Sequence, residues 1–262
     1  MAAEILDAWT QSKCGDDRLN EDAFVVADDV VAIFDGETDK SGSDHPTPGR
    51  LGVQALTKAM SCFPVSASSA EVLEFLHSAI RSVPDPDCTP VAVGAVLDLR
   101  GRRVIRVGDV SVCVAGVLHR AHKQLDDIAG NARAALLHSM LRSGADADLL
   151  RAQDPGREMI LPLLRAAAAW RNVVDTLLGF AALDGTATPA SMVDVYDVPA
   201  GAEVILATDG YLDVQPCLDQ AEEAHAQCIR SDPLRLGPPP GTKGVRPGSL
   251  SFDDRTYVRV RV

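Results

Sequence analysis

The chain has 262 residues, 46% hydrophobic and 24% charged, an ordinary globular composition with room for a core that needs no disulfide or structural metal. Its 37 acidic against 25 basic residues give a formal net charge of -12, which excludes a general binder of nucleic acid or of an anionic membrane surface. The six cysteines, Cys14, Cys62, Cys88, Cys113, Cys217 and Cys228, form no C-x-x-C pair and have no histidines at zinc-site spacing. We expect most of them to be small apolar fillers in a reduced cytosol.

"MAAEILDAWTQSK" has neither a basic leader nor an apolar run of signal-peptide length, and no later stretch of uncharged residues reaches membrane-span length. A cytoplasmic protein is expected. Residues 3 to 13 predict a first strand. "DAFVVADDVVAIFDG" predicts two more, joined by a turn at Asp28-Asp29 and ending on Asp35-Gly36. A loop rich in Ser, Gly and Pro follows between Asp39 and Gly52 and includes His45; we read it as a surface excursion. "RLGVQALTKAMSCF" and "SAEVLEFLHSAIRSV" then show the apolar spacing of two helices.

After Pro84, "VAVGAVLDL" and "RVIRVGDVSVCVAGV" predict a run of strands forming a meander that contains Asp109. From about 122 to 175 the pattern is alanine-rich and predicts two or three helices. Strands return at "SMVDVYDVP" and "AEVILATDG". A helix opened by Pro216 and a Pro/Gly-rich loop from Pro233 to Gly248 follow, then a last strand, "RTYVRVRV", directly after Asp253-Asp254. Nothing marks an interdomain linker, so residues 1–262 are expected to form one domain.

A single Asp-Gly at the end of a strand is a common turn. Asp22, Asp35, Asp209 and Asp253, however, each lie at an end of a predicted apolar strand, where one edge of a sheet can present carboxylates to a common point. Hard cations such as Mg²⁺ and Mn²⁺ take oxygen ligands and retain several waters, so a few rigid carboxylates and a backbone carbonyl suffice to hold them.

The order "NEDAF", "AIFDG", "VIRVGDVSV", "VILATDGYLDV" and "SFDDRTYVRV" resembles the metal-dependent protein phosphatases of the PP2C (PPM) family, bacterial type, across essentially the whole chain. The resemblance implies an α+β fold, a β-sandwich of two antiparallel sheets flanked by α-helices, with the helical flank and flap at about 122 to 175. It also implies a centre of two Mg²⁺ or Mn²⁺ ions, with an optional third, and hydrolysis of a phosphomonoester by in-line attack of a metal-bridging hydroxide. By position, Asp35 resembles the carboxylate that bridges both metals, with the Gly36 carbonyl as a further ligand. Asp209 and Asp253 match the remaining metal carboxylates, and Asp109 the third-metal position. Glu21 and Asp22 fall where metal-bound waters are oriented, and Arg18 lies close to the phosphate-binding arginine.

The chain diverges after the first Asp-Gly. Where the family commonly continues with histidine or methionine and then Gly-Gly, this sequence reads Glu37-Thr38-Asp39, and Val110 stands where serine is usual. Glu37 takes the general-acid position and serves there only if its pKa is raised. The expected substrate is a phosphoserine or phosphothreonine protein. The alternatives are a phosphatase of a small phosphorylated metabolite, and a pseudophosphatase acting as a binding or regulatory module, which the missing Gly-Gly favours.

Overall fold

The computed structural model describes residues 3–38, 40, 47–83 and 89–262. Asp39, His45 and most of the loop around them, together with Cys88, lie outside the described residues. Two five-stranded sheets carry the architecture. One has β1 (Glu4–Gln11) at its edge, then β10 (Arg255–Arg261), β9 (Glu203–Ala207), β6 (Ser111–Val114) and β7 (Val117–His119). The other runs β2 (Asp22–Val26), β3 (Val30–Gly36), β4 (Ala92–Asp98), β5 (Arg103–Val107) and β8 (Val193–Asp197). Every neighbouring pair is antiparallel, as expected for the sandwich.

β3 shows why the sequence selects this arrangement. Its apolar run is continuous because both of its faces are covered, and the strand period of two divides the run between them. Val31 and Ile33 pack with Leu97, Val204, Leu206 and Val258 between the sheets. Val30, Ala32 and Phe34 pack on the other face against two helices, α1 (Pro48–Ala59) and α2 (Ser69–Arg81), through Val53, Leu56, Val72 and Leu76. Ser68 and Glu71 close a capping box that starts α2. The sheet of β1, β10, β9, β6 and β7 is covered by α6 (Leu218–Ser231), whose Ala221 packs, with Tyr211 from the segment before it, on Ile205, Ala207 and Tyr257. Each aliphatic side chain so buried contributes about 1.5 to 3 kcal/mol.

Two expectations are corrected. The strands after Pro84 do not form a meander: β5 pairs with β8 in one sheet and β6 with β9 in the other. The chain changes sheets at Gly108, whose φ is +87°, and Asp109 follows at the crossing. The cysteines fill apolar space only in part, Cys113 against the cluster of Ile205 and Tyr257. Among the described residues, Cys14 and Cys62 are exposed, Cys113, Cys217 and Cys228 are half-buried, and all five are free.

The alanine-rich block folds as three helices, α3 (Gln124–Arg142), α4 (Ala147–Gln153) and α5 (Pro155–Ala166). No helix among the described residues is long and apolar enough to cross a membrane.

Candidate metal centre

Strand ends at one edge of the sandwich deliver the predicted carboxylates. Asp22 opens β2 and stands directly opposite Asp35 of β3. Like charges facing each other across an antiparallel pair repel. Asp209 follows β9, Asp109 lies at the sheet crossing, and Asp253 lies just before β10. Asp35, Gly36, Asp109, Asp209 and Asp253 line one cavity of about 120 Å³, room for a few waters or one phosphate-sized group.

Glycines permit this convergence. A Cβ on Gly36 would lie 2.5 Å from the backbone of Gly49 in α1. One on Gly210 would lie 2.0 Å from the Asp254 carbonyl oxygen. A side chain at Gly36 would push β3 away from α1, and one at Gly210 would push the end of β9 away from the segment leading into β10.

The carboxylates divide into two groups. Asp22, Asp35 and Asp209 have no basic ion-pair partner among the described residues. Asp22 accepts a hydrogen bond from the Thr208 hydroxyl at 2.6 Å, and that hydroxyl also receives the Thr256 amide at 2.8 Å. Burial, followed by repulsion from neighbouring aspartates, raises the proton affinity of Asp22 and Asp35 well above the ordinary range. Asp209 opens onto the cavity, yet the protein packed around it and the nearby Asp253 and Asp109 push its pKa up to about 7.

Asp253 and Asp109 behave in the opposite way. Lys243 lies 2.5 Å from one Asp253 oxygen and Lys13 3.4 Å from the other. Lys123 lies 2.9 Å from Asp109. Burial alone would raise both carboxyls, but these ammonium groups outweigh it and hold them below the usual range. Asp254, fully buried, accepts the amides of Lys13 at 2.7 Å and Glu21 at 2.9 Å, and so ties the strand ends together.

Glu21 does not line the cavity. Its carboxylate takes the Lys13 ammonium at 2.9 Å and the Thr47 hydroxyl, and its carbonyl receives the Gly36 amide at 2.9 Å. Arg18 is not brought to the centre. It sits in a 3-10 turn with its side chain 86% exposed, paired with Asp16 at 2.7 Å. Glu37 does line the cavity, but not in the state a general acid needs. Burial pushes its carboxyl up, and Lys40 and Arg171, the latter at 2.5 Å, more than offset that and keep it ionised.

Lys123, Lys243 and Arg157, which line the cavity, and Lys13, which reaches Asp253, are the basic neighbours that sequence reasoning missed. A lone basic residue in a loop carries no pattern, and the only available signal was the net charge, which asks for cations somewhere near so many carboxylates. Among the described residues, no three His, Cys, Asp or Glu side chains stand close enough together to chelate an ion as placed. The charge nevertheless fits a divalent cation on the side of Asp35 and Asp209, which form no ion pair among the described residues and are only partly offset by the more distant Lys243 and Lys123.

Comparison with solved structures decides the fold. The chain superposes over its full length on 99% of the serine/threonine phosphatase PstP/Ppp of Mycobacterium tuberculosis, with a TM-score of 0.50 and 16% identity. The chain has the PP2C (PPM) fold. Two further structures with this fold cover nearly the whole chain. The PstP catalytic domain in complex with two manganese ions matches 98% of this chain and 97% of its own, at 16% identity and a TM-score of 0.49. An S. agalactiae serine/threonine phosphatase matches 99% of each chain, at 14% identity and a TM-score of 0.49. No protein-family model and no curated relative matches the chain. Within the PP2C fold, the carboxylate-lined cavity lies at the strand ends where the sequence motifs had pointed.

Proposed function

We propose that the chain is a metal-dependent phosphomonoester hydrolase, acting on phosphoserine or phosphothreonine in proteins, with Mg²⁺ or Mn²⁺ at the centre. The observation that carries the reading is that Asp35 and Asp209 face one cavity, with Asp22 directly opposite Asp35, and that none of the three forms an ion pair among the described residues. Carboxylates kept this close without a cation repel one another. A divalent ion bound there would activate water and neutralise phosphate charge.

The chain's own residues then have separate tasks. Asp35 and Asp209 hold the ion, with the Gly36 carbonyl beside them, and Asp22 supports Asp35 from the neighbouring strand. Arg157 replaces Arg18 as the group that grips phosphate. It lines the cavity and has no carboxylate partner among the described residues, and a guanidinium can meet two phosphate oxygens at once.

The lysines on Asp253 and Asp109 favour a second reading, a pseudophosphatase that binds a phosphorylated protein or a small phosphorylated metabolite without turning it over. Hydrolysis of p-nitrophenyl phosphate with Mn²⁺, Mg²⁺ or EDTA separates the two. Turnover only with metal, abolished in folded Asp35→Asn and Asp209→Asn variants, is the expected result. Metal binding with no turnover of any phosphomonoester selects the second reading.

A further inference from the structure

The Pro/Gly-rich stretch before β10 has the features of a surface loop, yet the helical block holds it firmly. Arg133 of α3 is fully buried, and its guanidinium donates to the carbonyls of Leu234 at 2.9 Å and Gly241 at 3.1 Å while pairing with Asp154 at 2.9 Å. Arg157 of α5 donates to the Thr242 carbonyl at 3.1 Å, and Arg151 of α4 to the Val245 carbonyl at 2.7 Å. The loop also closes on itself, with the Gly241 amide on the Arg235 carbonyl at 3.0 Å and the Val245 amide on the Pro233 carbonyl at 2.8 Å. Lys243 is therefore presented to the cavity by a backbone fixed on both sides.

Its ammonium group meets Asp253 at 2.5 Å and the Thr38 hydroxyl at 3.2 Å. Lys13 reaches the same hydroxyl at 3.5 Å and the same carboxylate at 3.4 Å. Thr38 stands at the first position of the expected Gly-Gly, and Glu37, at the preceding histidine or methionine position, is paired with Lys40 and Arg171. Both described departures after Asp35-Gly36 thus meet basic partners, Glu37 with Lys40 and Arg171, and Thr38 with the two lysines that also hold Asp253.

The geometry points to Lys243 as a tethered cation that takes the place of one divalent ion at Asp253, with Lys123 acting in the same way at Asp109. The centre then accepts a single ion, held by Asp35 and Asp209. This inference rests on the metal-dependent reading above. An ammonium on a clamped loop competes at a very high local concentration, and it supplies positive charge without open coordination positions for water.

Calorimetric titration of the whole chain with Mn²⁺ tests it, with circular dichroism as the control for folding. We expect one ion per chain for the wild type, two for Lys243→Met, and one for Lys243→Arg, which keeps the charge. Lys123→Met provides an independent variant with the same expectation of a gained ion. A wild type that binds two or more ions, with Lys243→Met unchanged, overturns the inference and leaves the metal-dependent reading intact. A wild type that binds none while Lys243→Met gains one upholds the tethered cation and overturns metal-dependent hydrolysis by the native chain. No binding in wild type or variants overturns both.

Discussion

Glu37 occupies the general-acid position of the sequence pattern, and its surroundings assign it a different task. With Lys40 and Arg171 against its carboxylate, it has no proton to give and joins the loop after β3 to the segment after α5. Loss of a true general acid costs about 10² to 10⁴-fold in rate. For Glu37→Gln we expect less than about a tenfold change in hydrolysis. The lost charge-assisted bonds should instead cost about 1 to 3 kcal/mol of stability, read as a lower Tm; a thousandfold loss of rate with unchanged Tm would restore the acid role. At this scale the aspartates were legible because each interrupts an apolar run where a strand must stop. The lysines were not. Lys13 meets Asp253 and Asp254 across 240 and 241 positions of sequence, and nothing local marks such a pair.

Among the elements, strands and helices were legible by their periods, and their partners less so. Gly108-Asp109 has the composition of a hairpin turn, but the chain there leaves one sheet for the other, because β8 takes the place beside β5 and β9 the place beside β6. The alanine-rich block was the least informative stretch of sequence, and it supplies the three arginines that clamp the loop before β10. Arg133 is the centre of that clamp. Arg133→Met leaves Asp154 and two carbonyls without their donor, and removing one member of a buried charged pair costs about 3 to 5 kcal/mol. Urea denaturation should give an unfolding free energy lower by that amount, seen as a lower midpoint, and Mn²⁺ titration of the same variant should approach the Lys243→Met result as the loop loosens. A midpoint unchanged from wild type would mean that the loop is held by its own hydrogen bonds.

For the molecule as a whole, the centre makes stability depend on pH and metal together. Asp22, Asp35 and Asp209 hold protons in the folded state that the unfolded chain releases from about pH 4 upward. Stability in EDTA therefore falls as pH rises from about 4 towards the value of about 7 to which Asp209 is pushed. Asp109, Asp253 and Glu37 have depressed pKa values and act in the other direction: their contribution is present above about pH 4 and is lost as pH falls below it. Buried His77 and His225 are held below the ordinary histidine range and act against this, adding stability as pH rises towards about 6.5, so the carboxylates are read by difference. The Tm gained on replacing EDTA with Mn²⁺ should grow as pH rises from about 4 to 7; a gain that does not change with pH would mean that the carboxylates are already balanced without metal. The pairing of β1 with β10 has a consequence for synthesis. β1 has β10 as its sole partner in the sheet, and Lys13 finds Asp253 and Asp254 only when the segment leading into β10 exists. A chain emerging from the ribosome carries β1 unpaired and Lys13 without Asp253 and Asp254 until the segment that forms β10 is made. The strand that completes the sheet also completes the site, so a nascent chain cut short of β10 has neither.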